Sequence, residues 1–173
     1  MENILEKIKR IKVDSIYGKK KHFNAADRKQ NIHYWIGVPL VLVNVVTGTS
    51  LFVLLTENVE NWLKYLPVVF AFIAAILGGL QTYFNFNKKV EGHRDCGNDY
   101  LAVLKKCDRL QALIGDKLIS TDRVQEILEE IGDEINRINK VAESYPTSNK
   151  DYLKAQKGIK DGEESYLQDE LEL

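Results

Sequence analysis

The sequence predicts an all-α membrane protein: a two-span transmembrane helical hairpin with juxtamembrane and cytoplasmic amphipathic helices. Three observations lead there. First, Ile36–Leu55 and Leu66–Phe84 contain no charged residue. As helices of about 20 residues, each would run roughly 30 Å, the thickness of a bilayer's hydrocarbon core. Second, the connection Thr56–Asn61 is short and polar, so the two flanks return to the same side. Third, the remaining sequence is strongly charged, its apolar residues recur at helical spacing, and only three prolines interrupt 173 residues. A buried hairpin inside a soluble bundle is the alternative. A chain this short has too little other protein to surround two nearly all-apolar helices. The expected organisation is 1–35, amphipathic and juxtamembrane helices; 36–84, the hairpin, with spans 36–55 and 63–84; 85–145, an antiparallel helical pair; and 146–173, a short helix and a tail.

Met1–Arg10 places Ile4, Leu5, Ile8 and Ile11 on one helical face against Glu2, Glu6, Lys7, Lys9 and Arg10. This short amphipathic helix can lie on the membrane or pack on a cytoplasmic helix. Asp14 and Ser15 suit a cap or turn, and Gly18 suits a hinge. A second helix is expected over Lys19–Trp35. Nothing in Met1–Trp35 resembles a cleavable signal.

The basic residues of KKKHFNAADRKQNIHYW precede the first span, and Lys88, Lys89 and Arg94 follow the second. The connecting loop carries Glu57 and Glu60 with only Lys64 beside them. Basic flanks stay on the cytoplasmic side, so both termini are expected there, where anionic lipids would attract them. Tyr34 and Trp35 at one interface, and Trp62 and Tyr65 at the other, fit the aromatic belts of a spanning hairpin.

The first span has a polar middle. Asn44, Thr47 and Ser50 are the candidate pore-lining residues of an oligomer, with Gly48 and Thr49 beside them. The competing role is helix–helix glue, in which hydroxyls bond to their own helix's carbonyls and Asn44 bonds across an interface. Pro39 and Pro67 fall early in their spans, where proline is tolerated. The second span carries Ala71, Ala75 and Gly79 at intervals of four, a face that permits close helix packing with the first span or with another copy.

Beyond the hairpin, helix is expected from Asn87 to about Ile114. Tyr100, Val103, Cys107, Leu110 and Ile114 follow Cys96 at steps of three and four, as in a coiled-coil seam. Gly115 and Asp116 mark a break, and Ser120 or Thr121 caps the next helix. That helix presents Val124, Ile127, Leu128, Ile131, Ile135 and Ile138 and ends before Pro146. Its apolar face with the preceding one exceeds what a helical pair covers. Tyr100, Val103, Cys107, Leu110, Ile131, Ile135 and Ile138 are therefore the expected cytoplasmic seam of a homo-oligomer. TSNK reads as a loop, and a short helix is expected near Tyr152–Lys157, with Tyr166 and Leu167 as further contacts.

No enzyme, cofactor or metal signature is present. There is no Walker loop, dinucleotide loop or nucleophile elbow, and His22, His33 and His93 are scattered. His22 and His33 could sense pH or meet lipid phosphate, although a polar-surface role is the simpler expectation. Cys96 and Cys107 lie about three helical turns apart, too far for a bridge, and match no zinc motif. The basic cluster lacks a nucleic-acid reader motif and serves as a topology signal.

The arrangement as a whole resembles the SLATT family, two-span membrane proteins encoded beside nucleotide-second-messenger synthases or sensors in bacterial conflict systems. The resemblance covers roughly Ile4 to Tyr152. It rests on Lys21, Phe23, Ala25–Ala26 and Arg28 before the hairpin, and on Lys89, His93, Arg94 and Tyr100 after it. It implies a homo-oligomeric pore that damages the bacterial inner membrane and aborts phage infection by ion leakage. A synthase or sensor encoded nearby would be its partner. The contrasting function is a non-conducting anchor or scaffold that recruits a cytoplasmic partner.

Overall fold

The computed structural model describes residues 2–56 and 60–163. Glu57 of the connection and Tyr166 and Leu167 of the tail lie outside the described residues. Among the described residues five α-helices form: α1 (Glu2–Thr56), α2 (Leu66–Phe84), α3 (Phe86–Gly115), α4 (Thr121–Ala142) and α5 (Asn149–Lys160), with a 3-10 helix over Asn61–Tyr65 before α2. The chain divides into two compact units, Met1–Asp27 with Glu91–Leu173, and Arg28–Val90.

The first unit is a helical bundle. The seam of α3 meets the apolar face of α4, and α1 closes the groove between them with Ile8, flanked by Ile4 and Ile11. Val103, Cys107 and Val124 are fully buried, and Leu110 and Ile131 nearly so. This differs from the expected pair. The surplus apolar surface of α3 and α4 is covered by the first three turns of α1. Polar contacts fix the register: Lys12 pairs with Asp108 at 2.6 Å, Lys106 pairs with Glu134, and the Tyr100 hydroxyl donates to Asn139 Oδ1 at 2.6 Å. Ser120 is the cap of α4, accepting from the Arg123 N–H. α5 starts earlier than expected, because Ser148 and Asp151 form a capping box that draws Asn149 and Lys150 into its first turn.

α1 is one helix, not two. Neither a turn at Asp14–Ser15 nor a hinge at Gly18 is present. Ser15 and Gly18 are buried and serve as small packing positions, so tertiary contact outweighs their weak helix propensity. Pro39 consequently lies deep inside a helix, not in an opening turn.

The second unit is the hairpin. Along α1, Leu40, Val43, Thr47, Ser50 and Leu54 are partly buried. On α2, Pro67 and Ala74 are buried, and Phe70, Leu77, Gly78 and Gln81 are partly so. A Cβ at Gly78 would stand 4.0 Å from Leu40 Cδ2, ordinary packing distance. Gln81 Nε2 lies 3.1 Å from His33 Nδ1 and ties the open end of the hairpin. α2 ends where Asn85 takes a left-handed conformation (φ 43°), which asparagine tolerates better than most residues; α3 then begins at Phe86.

Candidate functional site

Two regions hold the chemistry. In the hairpin, Asn44 is exposed, whereas Thr47 and Ser50 are partly buried. Ser50 lines a cavity of about 190 Å³ with Thr49, Val53 and Leu54 of α1 and with Leu63 and Leu66. The Thr47 hydroxyl donates to the Val43 carbonyl at 2.7 Å, and that of Thr49 to the Val45 carbonyl at 2.9 Å. The expected polar stripe is thus divided: two members turn partly inward and one faces outward.

The small-residue face divides in the same way. Ala74 and Gly78 make the intrachain approach, while Ala71, Ala75 and Gly79 are exposed, and nothing lies within 4 Å of a Cβ at Gly79. Tyr34, Trp35, Trp62 and Tyr65 are exposed; the Trp62 indole donates to Glu60 Oε2 at 2.6 Å. Tyr100, Val103, Cys107, Leu110, Ile131 and Ile138 are buried inside one chain and Ile135 partly so. Six of the seven seam residues are thus covered within one chain, and Ile135 keeps part of its surface open.

The other region is a buried histidine pair. His22 on α1 and His93 on α3 lie with Nδ1 atoms 3.2 Å apart, and they are 4% and 1% exposed. One ring must hold the proton that the other accepts. Tyr100 and Tyr145 flank the pair, with ring centroids 5.8 Å from His22 and His93 respectively. Small residues let these rings in. A Cβ at Gly92 would overlap Tyr145, and one at Gly97 would stand 2.9 Å from Phe23. Ala25 and Ala26 are fully buried, and Asp27 meets Arg94 at 4.0 Å. Asn24 Nδ2 donates to the Asp151 carbonyl at 3.1 Å, bringing α5 alongside.

Burial drives the His22 pKa down to about 4; Lys21 pushes the same way and the Asp151 carboxylate opposes it. His22 is therefore neutral at physiological pH. It is not the polar-surface histidine expected from its charged neighbours in sequence. Burial also raises the Cys96 thiol, helped by Asp99 and Asp95, and lifts that of Cys107 to about 11. Both thiols stay protonated and unreactive at neutral pH. Among the described residues, no group of three or more imidazole, thiol or carboxylate side chains is arranged to hold a metal.

Of the residues that carry the family resemblance, Ala25, Ala26, His93 and Tyr100 are buried in this core and Lys21 and Phe23 partly so, although about 70 residues separate the two halves; Arg94 is exposed, and Arg28 and Lys89 belong to the second unit. His22 was missed as a core residue. Only its position one turn before Ala25 and Ala26, on the face that also carries Ser15 and Gly18, could have signalled it.

Comparison with known proteins agrees with the two-span architecture. No curated protein and no solved structure matches the chain. The SMODS and SLOG-associating 2TM effector domain family 4 matches residues 4–171, nearly the whole sequence. Two helices have the length and apolar composition to cross a membrane, and no strand is present among the described residues. The chain is an all-α, two-span membrane protein that belongs to the SMODS and SLOG-associating 2TM effector domain family 4.

Proposed function

We propose that the protein is a non-catalytic, pore-forming effector of a bacterial antiphage defence system. Several copies assemble in the inner membrane, with both termini cytoplasmic, and make it leak when triggered. A nucleotide synthase or sensor encoded nearby supplies the trigger. The observation that carries this reading is the outward face of the hairpin. A lone two-helix hairpin cannot enclose a conducting path. Asn44 is a polar amide exposed at mid-span, and Ala71, Ala75 and Gly79 are exposed small residues suited to close approach by another copy. An exposed amide in hydrocarbon is unfavourable; in an assembly it faces water or a neighbouring subunit.

The non-conducting anchor retains one specific support. The hydroxyls of Thr47 and Thr49 are satisfied within their own helix, as packing residues require. Crosslinking and dye release measured on the same proteoliposomes separate the two readings. A pore leaks in step with assembly, whereas an anchor assembles or recruits without leakage.

A further inference from the structure

We propose that the His22–His93 pair is a proton-sensitive latch: protonation of the two touching imidazoles drives α1 and α3 apart and opens the core of the first unit. The Nδ1 atoms are 3.2 Å apart, both side chains are almost wholly buried, and the contact requires at least one unprotonated ring nitrogen as acceptor. With both rings charged, both Nδ1 atoms are donors. The hydrogen bond becomes a repulsion inside a site packed by Tyr100, Tyr145 and Phe23.

Every element packed around the pair contributes to its charge environment. α1 supplies Lys21, which opposes protonation of His22. α3 supplies Cys96 and Tyr100, both neutral at ordinary pH, with Asp95 and Asp99 beside Cys96. Tyr145 follows α4, and α5 supplies Asp151, whose carboxylate favours a charged His22. Position along the chain gives the latch its consequence. His22 lies six residues before the hairpin unit and His93 three residues after it, so the pair joins the two segments that enter and leave that unit. The inference does not depend on the pore reading, because its readout is the opening of the first unit alone.

Cys96 reports that opening, since it is fully buried one turn beyond His93. The full-length protein in nanodiscs is treated with 4,4′-dithiodipyridine between pH 7.5 and 5. Rates are divided by those of the same thiol in denaturant at each pH. With His22 depressed to about 4 against 6.5, His22 alone raises the normalised Cys96 rate roughly thirtyfold by about pH 5. In H22Q/H93Q it stays flat. A flat wild-type profile overturns the proposal, and so does an equal rise in the double variant. If the double variant exposes Cys96 already at neutral pH, the imidazole NMR resonances of the wild type decide. Histidine protonation sharing one midpoint with the thiol exposure supports the latch; rings that remain neutral through the opening overturn it.

Discussion

Gly18 on α1 lies directly beneath the ring of Tyr100 on α3: a Cβ added at Gly18 would stand 2.8 Å from three carbons of that ring. The ring cannot move aside cheaply, because its hydroxyl is held by Asn139 and its face adjoins His22. A glycine inside a long helix therefore marks the closest approach of two helices.

Gly18→Ala tests this approach. Alanine improves helix propensity by about 1 kcal/mol, but overpacking a closed core typically costs 1–3 kcal/mol. The expected outcome is a lower Tm by circular dichroism in detergent. Gly132→Ala is the control: nothing lies within 4 Å of its Cβ, so the propensity gain of about 1 kcal/mol should appear as a higher Tm.

Stability of the first unit should fall with acidification. The folded pKa of His22 is depressed to about 4 from 6.5, so between those values the unfolded chain binds more protons than the folded one. Stability is complete above pH 6.5 and is lost progressively as pH falls towards 4, by about 3 kcal/mol in all. Urea midpoints measured across this range should decline in the wild type and decline less in His22→Gln.

The intramolecular seam makes a prediction opposite to the one its sequence suggests. Ile131 is 1% exposed in a single chain. Ile131→Ala should lower stability by about 2–5 kcal/mol through the cavity it leaves, and should not change subunit number in detergent. Mass photometry that found fewer subunits with unchanged stability would restore the seam as an oligomer contact.

The sequence exposes some of this architecture and conceals the rest, for physical reasons. Charge-free runs and the short polar connection define the hairpin, because a bilayer demands length and apolarity. The faces of α3 and α4 are legible because a groove imposes a periodicity of three and four. That the start of α1 packs on cytoplasmic helices is half legible: Ile4, Ile8 and Ile11 fit a membrane surface or a bundle, and the acids that interrupt the basic face favour the bundle, but nothing in the sequence says which groove they fill. Ser15 and Gly18 look like breakers until the neighbour that requires small residues is known. His22 and His93 share no local pattern, and their contact arises only when α1 packs on α3. The split of the first span's polar stripe depends on helix rotation, which Thr47 and Ser50 share with Leu40, Val43 and Leu54 in facing α2.

Ala74 and Ala75 should differ despite being neighbours. Ala74 is 8% exposed, one turn before the Gly78 that approaches Leu40, whereas Ala75 is exposed. Ala74→Leu should pry the hairpin apart within one chain. Ala75→Leu should leave the hairpin intact and reduce crosslinking between copies. Intrachain and interchain cysteine crosslinks, scored separately, check both outcomes.

Assembled copies are expected to conduct through a path that includes Asn44. The most direct measurement follows subunit crosslinking and dye release together in proteoliposomes, at densities where assembly is complete. It compares the wild type with Asn44→Leu and Thr47→Val. The account predicts release by the wild type, reduced release with intact assembly for Asn44→Leu, and little change for the inward-turned Thr47→Val. A fully assembled wild type that leaves the vesicles sealed, or an assembled Asn44→Leu protein that leaks like the wild type, would contradict it.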